Sequence, residues 1–277
     1  VLIFCGGRGA TNLIESIGKH PQIKLTMVVN AYDDGLSTGR LRKFIPGMLG
    51  PSDVRKNMGH IMKLGSVSQK ALNTITDYRF PDGFLYNDAV KVFNEFKNYN
   101  WVLIQDLAPY FDQLPFFKLR KMASYIDTFL EYLYEQKSIG IEFDFGDCSF
   151  GNILFAGCFL QSNDFNKCIT DYGMFSGVDD QVLNVTRGEN YVLVGLRTDG
   201  RYLIDESEIV SPNPENILEV FLLEDYLTES ELKELNSKDI EGKLKYLKER
   251  EKTPELNPDV RERVMSADVI IYGPGTQ

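Results

Sequence analysis

Two adjacent aspartates, Asp33 and Asp34, have the clearest potential for chemistry in this sequence. They follow residues 24–30 (KLTMVVN), an apolar run typical of a buried strand. In an open parallel sheet, ligands bind beyond the carboxyl ends of the strands, where this segment must lie. Mg²⁺ is usually held by one or two carboxylates together with substrate phosphate oxygens and water. Asp33 and Asp34 are therefore candidate catalytic residues and metal ligands; a solvated Asp-Asp-Gly turn is the alternative.

A glycine turn, CGGRGATN, connects the first apolar run to the first predicted helix and contains Gly6, Gly7 and Gly9. The N–H groups and the dipole at such a helix start favour a phosphate. The third glycine of the dinucleotide fingerprint is missing, and Asn30 ends the second strand where NAD enzymes place Asp or Glu. We therefore expect neither an NAD nor a flavin cofactor. The GK[ST] that closes a Walker A motif is also absent, so the turn is not a P-loop. The turn is either a generic anion site or a structural turn.

A basic cluster follows the aspartate pair in this acidic chain, with Asp53 as its one acidic residue. Its members are Arg40, Arg42, Lys43, Arg55 and Lys56. Arginine forms paired hydrogen bonds to phosphate, so the cluster could supply the charge that a diphosphate needs. Balancing of surface charge is the alternative explanation.

Two further turns could bind an anion or be structural. Ser149, Gly151 and Asn152 lie where a turn enters an apolar helix, and Gly273, Gly275 and Thr276 follow the last predicted strand. Each of these turns lies at the end of a strand or helix.

Alternation of strand and helix patterns at both ends of the chain predicts an α/β fold with a largely parallel sheet. A mostly helical segment at about 84–140 and a β-hairpin with Thr198-Asp199-Gly200 as its turn are inserted. The aromatic residues of the helical segment recur at helical spacing, which is typical of helix packing. We treat residues 1–277 as one domain. Because the chain lacks an initial Met and stops after a strand and turn, we expect a longer protein truncated at both ends.

Several local features are also predicted. The first helix, 12–17, should have Asn12 as its N-cap with Glu15 completing a capping box. Residues 32–56 read as a long, ordered functional loop. Residues 229–252 read as one charged helix opened by a Thr228 capping box, and 269–272 as a buried strand.

Composition excludes several classes of protein. The 277 residues are 43% hydrophobic and carry a formal net charge of −10, which argues against nucleic-acid or anionic-membrane partners. No apolar run is long enough to span a bilayer, so a cytoplasmic protein is the simplest expectation. The four cysteines are scattered without a CxxC pair, which predicts buried thiols.

Five motifs in this order resemble the CofD-like family, which contains the 2-phospho-L-lactate transferases and a YvcK-type branch called gluconeogenesis factors. They are GGRGATNLIESI, VVNAYDDGLSTGRLRK, PSDVRK, CSFGN and ADVIIYGPGT. The second and third are closer to the YvcK-type patterns DDGGSSGRLRK and PPGDIRN. Lys56 stands where the family usually has an asparagine. Cys148 stands where it usually has a histidine, which puts any activity that needs this histidine in doubt.

The resemblance implies a Rossmann-like fold that binds a nucleotide diphosphate or nucleotide sugar. Phosphates would lie on the glycine turn, and Asn30 and the two aspartates would line the pocket and a Mg²⁺ position. The remaining residues that match family positions are Ser37, Gly39, Arg40, Asp53, Arg55, Ser149, Asn152, Gly273 and Gly275. The helical segment also looks longer than in the family, which could reshape a second-substrate pocket or build a homo-oligomer interface.

Two functions follow. In the first, the protein is a Mg²⁺-assisted transferase that moves the group attached to the diphosphate to an acceptor hydroxyl. Positioning and electrostatics would supply most of the rate, and an aspartate would act as the base. In the second, it is a non-catalytic UDP-sugar-binding regulator of central carbon or cell-envelope metabolism.

Overall fold

The structure is a computed structural model that describes residues 1–7, 9–179, 181–203 and 216–273. Within these ranges the strands are β1 (Leu2–Cys5), β2 (Thr26–Val29), β3 (Val182–Asn184), β4 (Val192–Arg197), β5 (Tyr202–Leu203), β6 (Ile217–Leu223) and β7 (Ile270–Tyr272). The helices are α1 (Thr11–Gly18), α2 (Leu36–Phe44), α3 (Pro51–Met62), α4 (Val67–Asp77), α5 (Tyr86–Lys97), α6 (Ala108–Phe111), α7 (Phe116–Ser138), α8 (Phe150–Ser162), α9 (Phe165–Ser176), α10 (Glu229–Asn236), α11 (Ile240–Arg250) and α12 (Pro258–Ser266). A short 3₁₀ helix spans Val102–Leu107.

The main sheet is parallel, with the strand order β3-β2-β1-β7. In β1, Phe4 is opposite Val28 of β2 on one side and Tyr272 of β7 on the other. All four residues of β2 are buried, which explains its unbroken apolar pattern. The predicted α/β fold with a largely parallel sheet is confirmed, and it is consistent with a Rossmann-like fold.

A second, small sheet is antiparallel, with the order β5-β4-β6. The predicted hairpin turn lies between β4 and β5, where Gly200 has a φ of +83° that favours glycine. The sheet packs on α10 and α11 around a core of its own that includes Val194, Phe221 and Leu247. The small sheet therefore consists of the predicted hairpin and a third strand, β6, where the apolar run at 219–223 also predicts a strand.

The middle of the chain is helical, as predicted, with α5 and α7 as its long helices. Its aromatic side chains pack in the main core, where the rings of Phe93 and Phe129 lie 6.2 Å apart. The four cysteines are buried free thiols, as predicted.

The prediction of a long loop at 32–56 was wrong, because this segment forms α2 and the first half of α3. Pro51 occupies the first turn of α3, and the side chains of Leu41, Val54 and Met58 are fully buried at helical spacing. The buried faces also carry Arg42 and other polar residues, which hid the apolar periodicity.

Three smaller predictions were also wrong. The N-cap of α1 is Ala10, without a side-chain hydrogen bond, rather than Asn12. The charged segment is two helices, since Asp239 caps α11 by accepting a hydrogen bond from the N–H of Gly242 at 2.8 Å; the Thr228 capping box is confirmed. Strand β7 is not buried: Tyr272 is 81% exposed, and among the described residues the strand pairs with β1 alone.

Candidate functional site

An open cleft of about 310 Å³ lies at the carboxyl ends of β1, β2 and β7. This is where a parallel sheet is expected to bind its ligand. Leu193 of β4 contributes to the wall, so the small sheet borders the cleft. Five predicted site residues line it, namely Gly6, Asn30, Asp33, Asp53 and Gly273, together with Phe4, Cys5 and Tyr32.

Two side chains of helix α3 contact the backbone of the glycine turn and hold it in place. The Asn57 side-chain amide donates to the carbonyl of Gly6 at 3.0 Å, and His60 Nε2 lies 3.3 Å from the carbonyl of Gly7. The same His60 nitrogen lies 3.2 Å from the Thr11 hydroxyl in the first turn of α1. Burial lowers the pKa of His60 below its ordinary value, so the ring is neutral near pH 7.

Gly7 lies against an ion pair on α3. A Cβ at this position would come within 2.1 Å of Asp53 Oδ1 and 2.9 Å of Lys56 Cδ, so no other residue fits without displacing the pair. Lys56 Nζ lies 3.0 Å from Asp53 Oδ1, and both side chains are partly exposed. Lys56 therefore places a positive charge beside the glycine turn.

Helix α1 begins directly after the glycine turn. Its N-cap residue, Ala10, makes no side-chain hydrogen bond, and its first turn contains no acidic residue. Its first N–H groups are those that a helix leaves without intrahelical partners. Gly9, in the turn leading to α1, is exposed.

The two aspartates have different surroundings. Asp33 lines the cleft, and its Oδ1 accepts a hydrogen bond from the N–H of Gly35 at 3.0 Å. Asp34 is buried; Tyr226 donates to its carboxylate, and Arg42 lies 3.8 Å from Oδ1. In this conformation only Asp33 borders the cleft, although the sequence predicts that both turn towards one cation.

The Ser149 turn is filled by Arg55, which is itself buried. Arg55 Nε donates to Asn152 Oδ1 at 3.0 Å, and Nη2 donates to the Ser149 hydroxyl at 3.1 Å. Its Nη1 forms an ion pair with Asp77 at 3.0 Å. Ser149 also caps α8 by accepting from the N–H of Asn152. The structure brings Arg55, Ser149 and Asn152 together, but they bond to each other rather than line the cleft.

The rest of the predicted basic cluster is dispersed. Arg40 pairs with Asp144 and donates to the Gly146 carbonyl, whereas Lys43 lies over the ring of Tyr226. Arg42 is buried and donates to the Asn190 side chain at 2.8 Å. Lys56 is thus the member of the cluster that contacts the glycine turn.

Three other predicted residues are placed as follows. Ser37 and Gly39 lie on the buried side of α2, and a Cβ on Gly39 would come within 2.3 Å of the Asp34 carbonyl oxygen. Gly39 thereby allows α2 to pack closely on the aspartate segment. Gly275 and the neighbouring Thr276 lie outside the described residues.

Several residues around the site were missed from the sequence. Asn57, His60 and Tyr226 contact the glycine turn or Asp34 from distant positions, and no motif marks them. Tyr32 lines the cleft, and its ring stacks on Tyr191 with 6.4 Å between centroids. Lys56 was recognised as part of the basic cluster and as a departure from the family pattern, but its contact with the glycine turn is visible only in the structure.

The cleft offers the oxygen ligands that a hard cation prefers. Asn30, Asp33 and Asp53 supply amide and carboxylate oxygens, which suit Mg²⁺ when phosphate and water complete its shell. Within the described ranges, no three His, Cys, Asp or Glu side chains are grouped in a way that could hold a metal. Burial and nearby Asp53 raise the pKa of Cys5 to about 12, so this thiol in the cleft wall is not a thiolate near pH 7.

The sequence model of one family, described as 2-phospho-L-lactate transferase CofD, matches residues 1–277. The chain therefore belongs to the CofD family, which confirms the resemblance in its motifs. No curated protein matches the chain.

Two solved structures of a UPF0052-family protein from Bacillus halodurans are similar to this fold. Both are 21% identical in sequence, with TM-scores of 0.58 and 0.56. Each match covers 99% of this chain and 58% of the other, so this chain spans a little over half the length of those proteins. In the ranges that the structure describes, no helix is both long and apolar enough to cross a membrane.

Proposed function

We propose that this protein binds the diphosphate of a nucleotide or nucleotide sugar in the cleft, with Mg²⁺, and transfers the group attached to the diphosphate to an acceptor hydroxyl. Membership of the CofD family supports a transferase. The observation that carries the proposal is the position of the cleft at the carboxyl ends of β1, β2 and β7, where Gly6 of the glycine turn that leads into α1 lines it.

The phosphates would bind at the glycine turn. The N–H groups at the start of α1 and the ammonium of Lys56 provide the donors and the positive charge. Lys56 also neutralises Asp53, which would otherwise repel an anion at this edge of the cleft. Because Gly7 has no side chain, the turn can lie directly against Asp53 and Lys56.

Asp33 and Asn30 are the residues that would hold Mg²⁺, with Asp34 as a further ligand once it is released from Tyr226. The cation would neutralise charge that develops on the leaving diphosphate. The chain's own residues would bind and orient the diphosphate, and Leu193 of the small sheet would shield one side of it from water. An aspartate of the cleft would accept the proton of the acceptor hydroxyl.

The first experiment is a thermal-shift panel of UDP, GDP, ADP, a UDP-sugar and NAD, each with and without Mg²⁺. A ligand at about 100 times its Kd should stabilise the fold by about 2.7 kcal/mol. Asp33→Asn should remove most of the Mg²⁺-dependent part of that shift. Asp171→Asn is the matched control: this partly exposed carboxylate on α9 pairs with Lys167, and the variant should bind ligand and Mg²⁺ as wild type does. Stabilisation by NAD alone, or an unchanged shift in Asp33→Asn, would contradict the proposal.

The same cleft could serve a non-catalytic sensor of a UDP-sugar. The observation that favours this second function is the engagement of Asp34 by Tyr226 and Arg42, which ties one member of the aspartate pair to the small sheet. Mass spectrometry of the protein with a bound nucleotide sugar and candidate hydroxyl acceptors separates the two functions. Product formation identifies a transferase, whereas an intact ligand after long incubation favours the sensor.

A further inference from the structure

Tyr226 joins the small sheet to the buried member of the aspartate pair. Its hydroxyl oxygen lies 2.9 Å from Oδ1 and 3.0 Å from Oδ2 of Asp34, so one phenolic proton is shared between both carboxylate oxygens. Arg42 lies 3.8 Å from Oδ1 of the same group, and the Asp34 side chain is 5% exposed. A cation can therefore reach this carboxylate only by displacing a partner that already satisfies it.

One end of the small sheet, where the start of β4 pairs with the end of β6, is attached at two points to the segment that carries Asp34. Arg42 of α2 donates to the Tyr191 carbonyl at 2.6 Å, directly before β4 begins. Tyr226 follows the end of β6, and Lys43 of α2 lies 4.9 Å from the centroid of its ring. Because Leu193 of β4 forms part of the cleft wall, the position of this sheet sets the shape of the cleft.

We propose that Tyr226 is a positioning residue whose hydroxyl competes with a divalent cation for the carboxylate of Asp34. The inference rests on the proposed function for the presence of that cation. Asp33, which already lines the cleft, is the first carboxylate that a cation meets. Asp34 joins it by leaving Tyr226, and the end of β6 then loses its hydrogen bond to the α2 segment. Cation binding in the cleft is thereby coupled to the loss of one hydrogen bond between the small sheet and the segment that carries Asp34.

Titration with Mn²⁺, followed by the electron paramagnetic resonance signal of the free ion, tests the competition. Tyr226→Phe removes the hydroxyl and keeps the ring, so it should bind Mn²⁺ about three- to tenfold more tightly than wild type. Tyr202→Phe is the matched control: it lies in the same sheet, and its hydroxyl donates to the Leu232 carbonyl. Its Mn²⁺ affinity should equal that of wild type.

Hydrogen exchange tests the coupling to the small sheet, first in the wild-type protein and then in Tyr226→Phe. Added Mg²⁺ should speed amide exchange in Ile217–Leu223 and leave the strands of the main sheet unchanged. Tyr226→Phe should show the faster exchange before Mg²⁺ is added, a response that a loss of global stability would not confine to one sheet.

The possible failures are distinct. Equal or weaker Mn²⁺ affinity in Tyr226→Phe overturns the competition but leaves the proposed cation site standing. Absence of Mn²⁺ binding in wild type and variants overturns both the cation site and the competition. Slower or unchanged exchange of Ile217–Leu223 when Mg²⁺ is bound overturns the coupling to the small sheet.

Discussion

The glycine turn and the Ser149 turn look alike in sequence but differ in whether another side chain of the protein fills them. Both place small and polar residues before a helix. The helix after the glycine turn has Ala10 as its N-cap, without a side-chain hydrogen bond, and Gly6 of that turn lines the cleft. Ser149, in contrast, caps α8, and Arg55 fills the space in front of it. A helix start is available to an anion only where the protein has not already satisfied it. The glycine turn is therefore the candidate binding site, and the Ser149 turn supports the fold.

Loss of Arg55 should have the largest effect. Arg55→Leu leaves the buried side chains of Ser149 and Asn152 without their shared donor, and unsatisfied buried polar groups cost about 1–3 kcal/mol each. It also removes the ion pair with the half-exposed Asp77. We expect the free energy of unfolding to fall by about 3 kcal/mol in urea titrations without ligand.

Arg79→Leu is the control for that variant, since it breaks an exposed pair with Asp147 and should cost less than about 1 kcal/mol. A small effect of Arg55→Leu on stability, combined with a large loss of nucleotide binding, would show that Arg55 is a ligand and would remove the distinction between the two turns.

A matched pair of glycine substitutions sharpens the same distinction. In Gly7→Ala the new Cβ meets the Asp53 carboxylate, so we expect more than tenfold weaker nucleotide binding, about 1.4 kcal/mol or more. In Gly151→Ala it meets the Thr76 carbonyl oxygen at 2.6 Å, and overpacking of this kind costs about 1–3 kcal/mol of stability.

Calorimetric titration with the nucleotide found in the panel, together with urea denaturation, measures both quantities for each variant. Gly151→Ala should keep wild-type affinity when measured well below its unfolding transition. Equal losses of affinity in the two variants would indicate that both turns contact the ligand.

The smallest expected effect is a pH dependence of stability that arises at the first turn. The pKa of His60 is lowered in the folded protein, whereas the unfolded chain takes up a proton near pH 6.5. At pH values between the folded-state pKa and about 6.5, the unfolded state thus binds more protons than the folded state. The free energy of unfolding therefore falls as the pH drops from about 7 towards 5. For one group the slope is at most about 1.4 kcal/mol per pH unit.

His60→Gln should flatten this slope in denaturation curves collected across that range. The exposed His20, the other histidine of the chain, provides the control, and His20→Gln should retain the wild-type slope. A wild-type slope in His60→Gln would assign the pH dependence to other groups.

Much of the architecture can be predicted from the sequence. Apolar runs such as VLIFC and KLTMVVN identify strands, because a parallel strand buried on both faces needs apolar residues throughout. The hairpin turn and the capping box at Thr228 depend on local chemistry and were also correct. The α2 and α3 helices were missed because their buried faces include Arg42, Ser52 and Arg55, whose partners lie far away in the chain.

The same limit applies to the site. Sequence motifs alone identify the family, the glycine turn and the aspartate pair, since the types and order of neighbouring residues carry that information. Only the tertiary structure separates Asp33 in the cleft from Asp34 against Tyr226, and the open first turn from the turn that Arg55 fills. Local patterns determine which groups can bind an anion or a cation. Long-range packing decides which of them are already satisfied by another residue, and thus which remain available to a ligand.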